Sequence, residues 1–222
     1  SIIIYLKNDP LKRYFNSYIY SKKFAFSKIK CIGITGSCGK SSTTLYLYYF
    51  LKKMNYDICY IGTHKILYKD KVIETKNTTM EINELYEIFI NNDINPKYIV
   101  MEVSSIGINE ARINCFKFDY IGLTNLGRDH LDYHLNINNY HNVKKSFIEN
   151  SKIKKSNIFI PYFLKKEFKG NYTFYKDNKN IRKNIECLEF NYANLSLVYS
   201  ILRKMKFNSN TIINNLKAIN LE

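Results

Sequence analysis

The chain has no tryptophan, three prolines and eight glycines in 222 residues, and 19 acidic residues stand against 34 lysines and arginines. No apolar run approaches the roughly 20 residues that a membrane-spanning helix needs. Ser1-Ile2-Ile3-Ile4 is far too short for a signal segment. Five cysteines (Cys31, Cys38, Cys59, Cys115, Cys187) are odd in number, scattered and without a C-x-x-C pair. That argues against a disulfide framework and suits free thiols in a reducing compartment, so a cytoplasmic location is expected. No internal repeat or low-complexity tail is present. The shortage of acid leaves a net charge of +15. Nearly all of the excess is lysine, in a chain crowded with Asn, Ile, Lys and Tyr, whose codons are rich in A and T. Runs such as Lys152-Ile153-Lys154-Lys155 and Lys165-Lys166-Glu167-Phe168-Lys169 read as solvated faces. Neither a nucleic-acid partner nor a membrane is expected, and a monomer is.

What is present gathers around one stretch. Glycine is scarce, yet Gly33, Gly36 and Gly39 fall close together, between a short apolar run (29–35) and Lys40-Ser41. From Ser42 the pattern Leu45, Leu47, Tyr48, Leu51 turns helical. Strand, glycine-rich turn, Lys-Ser and helix make a phosphate-binding loop: backbone N–H groups converge on an anion, the helix N-terminus adds positive potential, and Lys40 reaches terminal phosphates. Ser41 offers its hydroxyl to Mg²⁺. The fit to G-x-x-x-x-G-K-[ST] is loose, because Ile34 occupies the first glycine's place and Gly33 lies one position earlier.

The pattern along the rest of the chain predicts a helix over 10–20, a helix from 40 to about 54, and a strand over 57–62. A hairpin (66–68 with 71–74, turned by Lys69-Asp70) follows, then a helix to about 91 capped by Thr78 or Thr79. Strands are predicted over 97–103 and 118–123, a helix over 137–150, strands near 158–160 and 172–175, and helices over 194–206 and 210–219. Strands alternating with helices argue an α/β fold with a mostly parallel, doubly wound sheet. A length of 222 residues suits one substantial domain of this kind.

In such a sheet chemistry collects at the carboxyl ends of strands. Three groups fall there. Glu102 follows the apolar run 97–101, where a carboxylate needs a partner, and a Mg²⁺ shared with Ser41 would satisfy it. The stretch Leu123-Thr124-Asn125-Leu126-Gly127-Arg128-Asp129-His130-Leu131-Asp132-Tyr133-His134 is too polar to be mere connection. His130 and His134 share the spacing of the zinc-protease pair, but Leu131 stands where that chemistry needs its glutamate and no third ligand follows. Lys144 lies one helical turn after Tyr140, and by pattern alone it reads as a surface lysine.

Five stretches, in order, resemble the central domain of the Mur ligases, and within them the branch that adds the third residue of the peptidoglycan peptide. Gly33-Ile34-Thr35-Gly36-Ser37-Cys38-Gly39-Lys40-Ser41-Ser42-Thr43-Thr44 resembles that family's G-[IV]-T-G-T-N-G-K-T-T-T loop, shifted glycine included. Asn77-Thr78-Thr79 resembles N-T-T-P, and Met101 to Arg112 resembles M-E-V-S-S-H-x-L-x-x-x-R. Residues 118–134 resemble F-D-x-x-x-x-T-N-L-x-R-D-H-L-D-Y-H, and Phe190-Asn191-Tyr192-Ala193-Asn194 resembles F-N-x-x-N. The resemblance implies ATP-dependent amide formation through an acyl phosphate on a UDP-N-acetylmuramoyl-dipeptide, with an amino acid as second substrate.

It implies Lys40, Glu102, His130 and Lys144 as catalytic groups, and Gly36, Ser37, Cys38, Gly39, Lys40, Ser41, Ser42 and Asn191 as the ATP site. It further implies two Mg²⁺ ions on Ser41, Glu102, His130 and a carbamylated Lys144. Asn77, Thr78, Thr79, Ser104 and Arg112 would meet the UDP-muramoyl substrate. Residues 1–28 are then expected to be the tail of an N-terminal substrate domain or a linker, residues 29–222 the central ATP-binding domain, and the amino-acid-binding domain is expected to be absent. Cys38, Met80, Ile106 and Leu135 replace the family's asparagine, proline, histidine and glycine. Two other readings stay open: a nucleotide-binding remnant without ligase activity, and a folylpolyglutamate-synthase-like ligase.

Overall fold

The computed structural model describes residues 18–20 and 24–219. Residues 18–20 are helical, and the rest of the helix predicted over 10–20 lies outside the described residues. One sheet holds eight strands: β1 (Lys30–Thr35), β2 (Ile58–Gly62), β3 (Lys65–Tyr68), β4 (Lys71–Glu74), β5 (Tyr98–Glu102), β6 (Phe118–Leu123), β7 (Ile158–Pro161) and β8 (Thr173–Tyr175). Their order is β4-β3-β2-β5-β1-β6-β7-β8, with every pairing parallel except those of the β2-β3-β4 meander. After Lys30 every residue of β1 is buried, as a continuous apolar run covered on both faces requires.

The helices are α1 (Lys40–Lys53), α2 (Ile82–Asn91), α3 (Ser105–Asn109), α4 (Leu131–His134), α5 (Ile137–Glu149), α6 (Lys179–Asn184), α7 (Glu189–Lys204) and α8 (Ser209–Lys217). Alternation along the strands sends side chains to two separate cores. Cys31, Ile99, Met101 and Ile121 pack with Leu85 and Phe89 of α2 and Ile148 of α5. Ile32, Ile34 and Val100 pack with Leu47 and Leu51 of α1, Val198 and Ile201 of α7, and Ile212 of α8. The central strand β1 pairs Ile34 with Glu102 on one side and Thr35 with Leu123 on the other, so the loops leaving β1, β5 and β6 open at one edge of the sheet.

Three expectations need correcting. Helix α2 starts at Ile82 with Glu81 at its N-cap and no side-chain cap. Thr79 does not cap it, because its hydroxyl is drawn to the end of β5, where it donates to the Glu102 carbonyl (3.1 Å) and accepts from the Ser104 N–H (3.0 Å). Helix α7 begins at Glu189, five residues earlier than the apolar pattern shows, which places Asn191 and Asn194 in its first turns. Lys144 is no surface lysine, being 1% exposed. It stands between Tyr140 and Ile148, both fully buried, and positions i, i+4 and i+8 share one face of a helix. The short helices α3, α4 and α6 were not legible. Lys152, Lys154, Lys155, Lys165, Lys166 and Lys169 are exposed, all five cysteines are free, and no helix of the described residues is long and apolar enough to cross a membrane.

Candidate active site

The phosphate loop is fixed from three directions. Gly39 is the N-cap of α1, at φ +81 and with no side chain to cap the helix. A Cβ there would be strained and would sit 2.3 Å from Asn194 Oδ1 on α7. The first N–H groups of α1 are therefore left pointing at whatever lies above Gly39. Lys40 Nζ bridges the loop, donating to the Gly36 and Ser37 carbonyls at 2.9 Å each. From the end of β6, Asn125 Oδ1 accepts the Ser37 and Cys38 N–H groups (3.2 and 3.1 Å), and Thr124 Oγ1 donates to the Cys38 carbonyl (2.6 Å). Gly127 N–H and the Tyr140 hydroxyl both donate to Ser37 Oγ (2.8 and 2.9 Å). Asn191 lies beside this cradle through Asn194, whose Nδ2 donates to its Oδ1 (3.3 Å). Cys38 is exposed and Ser42 half-buried.

Below the loop, Ser41 Oγ donates to Glu102 Oε2 at 2.9 Å. The carboxylate is fully buried and collects three further bonds. Tyr60 O–H and Thr63 N–H donate to Oε1 (2.8 and 3.0 Å), and Thr63 Oγ1 donates to Oε2 (3.1 Å). A charge can stay in the interior only when its lone pairs are met in this way.

Lys144 Nζ lies 4.3 Å over the Tyr140 ring. Burial pushes its pKa down to about 7, the positive charge of Lys40 adds to the effect, and Asp129 opposes it. Burial also lowers Lys40, against the pull of Glu102, Asp129 and Cys38. Tyr140 thus joins the two lysines' surroundings, its ring under Lys144 and its hydroxyl on the phosphate loop.

Beyond the loop the contacts change in kind. Asn77 is exposed and Thr78 half-buried, with Thr78 Oγ1 3.1 Å from Thr63 Oγ1. Ser104 caps α3 by accepting the Gly107 N–H. Arg112 donates to the Thr79 carbonyl (2.8 Å) and pairs with Glu81 and Glu110. His130 is 43% exposed, at φ +49, with Nε2 3.4 Å from Asp129 Oδ2. His134 is buried with its Nε2 3.0 Å from Ser105 Oγ. Lys40, Ser41 and Glu102 are thus brought together directly. Lys144 joins them through Tyr140, and His130 stands beside Asp129 at the exposed start of α4. Among the described residues no three of His, Cys, Asp and Glu converge as a metal cage, so an ion here needs hydroxyl, phosphate or water oxygens beside Glu102. The reading from sequence missed Tyr60, Thr63, Asn125, Asp129 and Asn194. Asn125, Asp129 and Asn194 sit inside the quoted motifs, whereas nothing in the pattern around Tyr60 or Thr63 marks them.

Comparison with known proteins agrees with this fold. Residues 34–215 match the Mur ligase middle domain. The UDP-N-acetylmuramoyl-L-alanyl-D-glutamate–2,6-diaminopimelate ligase of Fusobacterium nucleatum is 43% identical over 122 residues, 53% of this chain and 24% of that protein. A solved structure of a ligase of that name superposes with a TM-score of 0.71 at 15% identity, covering 92% of this chain and 49% of the other. A MurF ligase from Thermotoga maritima in complex with ADP superposes with a TM-score of 0.68 at 16% identity, covering 95% and 53%. The chain thus spans about a quarter of the curated relative and about half of the solved ones. Matched over most of its length, the chain belongs to the Mur ligase family, in its middle domain.

Proposed function

We propose that the chain binds ATP with Mg²⁺ and serves an acid–amino-acid ligase of peptidoglycan precursor synthesis. In that reaction the free carboxylate of a UDP-N-acetylmuramoyl-dipeptide takes the γ-phosphoryl group, and an amino acid's amine displaces phosphate to form the amide. The observation that carries this reading is the junction of Ser41 and Glu102, 2.9 Å apart, beneath an uncapped helix start and beside Lys40. A hydroxyl and a carboxylate are oxygen donors of the kind Mg²⁺ takes, and open N–H groups at a helix start suit phosphate. The fit to both is good. In support, the Thermotoga maritima relative was solved with ADP.

In this reading Lys40 and the amides from Gly39 onward cradle the β- and γ-phosphates, with Gly36, Ser37, Cys38 and Ser42 shaping the loop and Asn191 beside the adenine. Ser41 and Glu102 hold one cation, and His130 with Lys144 a second. Bound Mg²⁺ supplies charge neutralisation, which offsets the repulsion between a carboxylate and a phosphate, the main obstacle to this transfer. With its pKa near 7, Lys144 has a substantial neutral fraction at physiological pH, and only a neutral amine adds CO₂. Carbamylation would exchange an unwelcome buried cation for an oxygen-bearing anion. On the substrate side, Asn77 and Thr78 have surface to offer the dipeptide. Thr79, Ser104 and Arg112 frame that loop through the bonds described above.

Calorimetric titration of ATP with Mg²⁺ into the purified chain tests the reading. Binding is expected, and Lys40→Ala is expected to abolish it; equal affinity in the two would overturn the assignment. A second reading, nucleotide binding without ligation, draws on Met80, Ile106 and Leu135, all on the substrate side. ATP binding with no ADP release on adding the UDP-muramoyl-dipeptide and amino acid would favour it.

A further inference from the structure

Glu102 is held on both oxygens, and the two sets of donors differ in kind. On Oε2 sit two hydroxyls, Ser41 and Thr63 Oγ1, which can turn aside for a cation. Oε1 is held by the backbone N–H of Thr63 and by the phenol of Tyr60, neither of which can yield cheaply. The Tyr60 ring is 1% exposed in the core beside Tyr48, at 6.0 Å between ring centroids. Space for the pairing is provided at Gly62, where a Cβ would lie 2.1 Å from the Tyr60 hydroxyl and 2.3 Å from Glu102 Oε1. Phenol and carboxylate therefore meet above a residue without a side chain, one strand away from the phosphate loop.

We propose that Tyr60 is a positioning residue that decides which cation the site accepts. Alongside the Thr63 N–H it takes the second lone pair of Oε1, and so presents Glu102 to the ion through Oε2 alone, beside Ser41. Mg²⁺ is content with single oxygens in a tight shell, whereas the larger Ca²⁺ gains from taking both oxygens of one carboxylate. Tyr60 thus disfavours Ca²⁺ by withholding the second oxygen. This rests on the nucleotide-and-cation reading above, and the test separates the two.

The test titrates the β,γ-imido analogue of ATP into the full chain with Mg²⁺ or with Ca²⁺, in wild type, Tyr60→Phe and Thr63→Ala. Wild type is expected to prefer Mg²⁺, and Tyr60→Phe to narrow the ratio of the two affinities by about tenfold, the size of effect that groups behind a metal ligand exert. Thr63→Ala leaves the Thr63 N–H and Tyr60 on Oε1, so it is expected to change both affinities together. Tyr60→Leu removes ring and hydroxyl and must shift the ratio the same way, which keeps the test open should Tyr60→Phe fail to fold. An unchanged ratio in the Tyr60 variants, or equal losses with both ions, overturns the role of Tyr60 and leaves the proposed function standing. No analogue bound by wild type with either ion overturns the proposed function itself.

Discussion

The two sides of the site are built differently. In the phosphate loop itself, backbone in the left-handed region falls on glycine, at Gly36 and Gly39, where it is cheap. Its polar groups are stitched to other elements at several points: Asn125 to the loop, Asn194 against Gly39, Tyr60 and Thr63 to Glu102. On the substrate side the left-handed residues are Ala111 and Leu135, which bear side chains that the conformation penalises. Three of the four departures from the family pattern fall there too, at Met80, Ile106 and Leu135, while the fourth, Cys38, lies in the phosphate loop. In the proposed reading, the side that would handle the triphosphate is thus the more tightly bonded, and the side that would fit the peptide carries strain. Strain of this sort persists only where surroundings impose it.

Glu102→Ala is the strongest way to probe that contrast. It would strand the buried Tyr60 hydroxyl and the Thr63 N–H without an acceptor, at about 1–3 kcal/mol each, partly offset by removing a buried charge. A net loss of about 3 kcal/mol in urea unfolding is expected. Asn77→Ala, exposed and on the substrate side, is expected to stay within about 0.5 kcal/mol. Comparable losses in the two would erase the difference between the sides.

The contrast also explains how much the sequence could convey. Strand order along the chain, the phosphate loop and the pairing of Ser41 with Glu102 were all legible, because each rests on local periodicity or on a motif held together by phosphate chemistry. The capping of α2 was not, since the Thr79 hydroxyl answers to Glu102 and Ser104, 23 and 25 residues away in the chain. Tyr60 was unreadable for the same reason. It looks like any apolar strand residue, and its partner lies 42 residues on. Lys144 was half legible. Its place one turn after Tyr140 could be read, but its burial depends on what α5 packs against.

Lys144 supplies the next test. Its pKa in the fold is near 7, against an ordinary value near 10.4 in the unfolded chain. Between those values the unfolded chain holds a proton that the fold does not, so stability rises with pH across that window. From pH 7 to pH 9 the gain from this one group is about 2 kcal/mol. Lys144→Met removes it, so in CO₂-free buffer the variant's stability curve should climb less steeply by that amount, and the variant should be the more stable at pH 6. Parallel curves for wild type and variant would return Lys144 to an unstrained, solvated state. Repeating the measurement with bicarbonate sharpens the point, because carbamylation takes the proton off the folded state at still lower pH and should steepen the wild-type curve near neutrality.

A smaller effect, and the most direct probe of the substrate side, is expected at Leu135. It sits at φ +68 and ψ −35 with 82% of its surface exposed, so it pays the backbone penalty and gains little packing in return. Its carbonyl neighbours are fixed by α4 and α5 on either side: the Leu135 N–H donates to the Leu131 carbonyl (2.9 Å), and Asn139 Nδ2 donates to the His134 carbonyl (3.1 Å). Glycine tolerates this conformation but also frees the unfolded chain, at an entropic cost somewhat below 1 kcal/mol. Relief of strain is worth about 1–3 kcal/mol, so Leu135→Gly should stabilise by about 1 kcal/mol and raise Tm by a few degrees. Ser37→Gly, on the phosphate side, removes the acceptor of the Gly127 N–H and the Tyr140 hydroxyl and should do the reverse. If both substitutions destabilise, the strain at Leu135 is repaid by contacts of its side chain, and the two sides of the site are more alike than their backbones suggest.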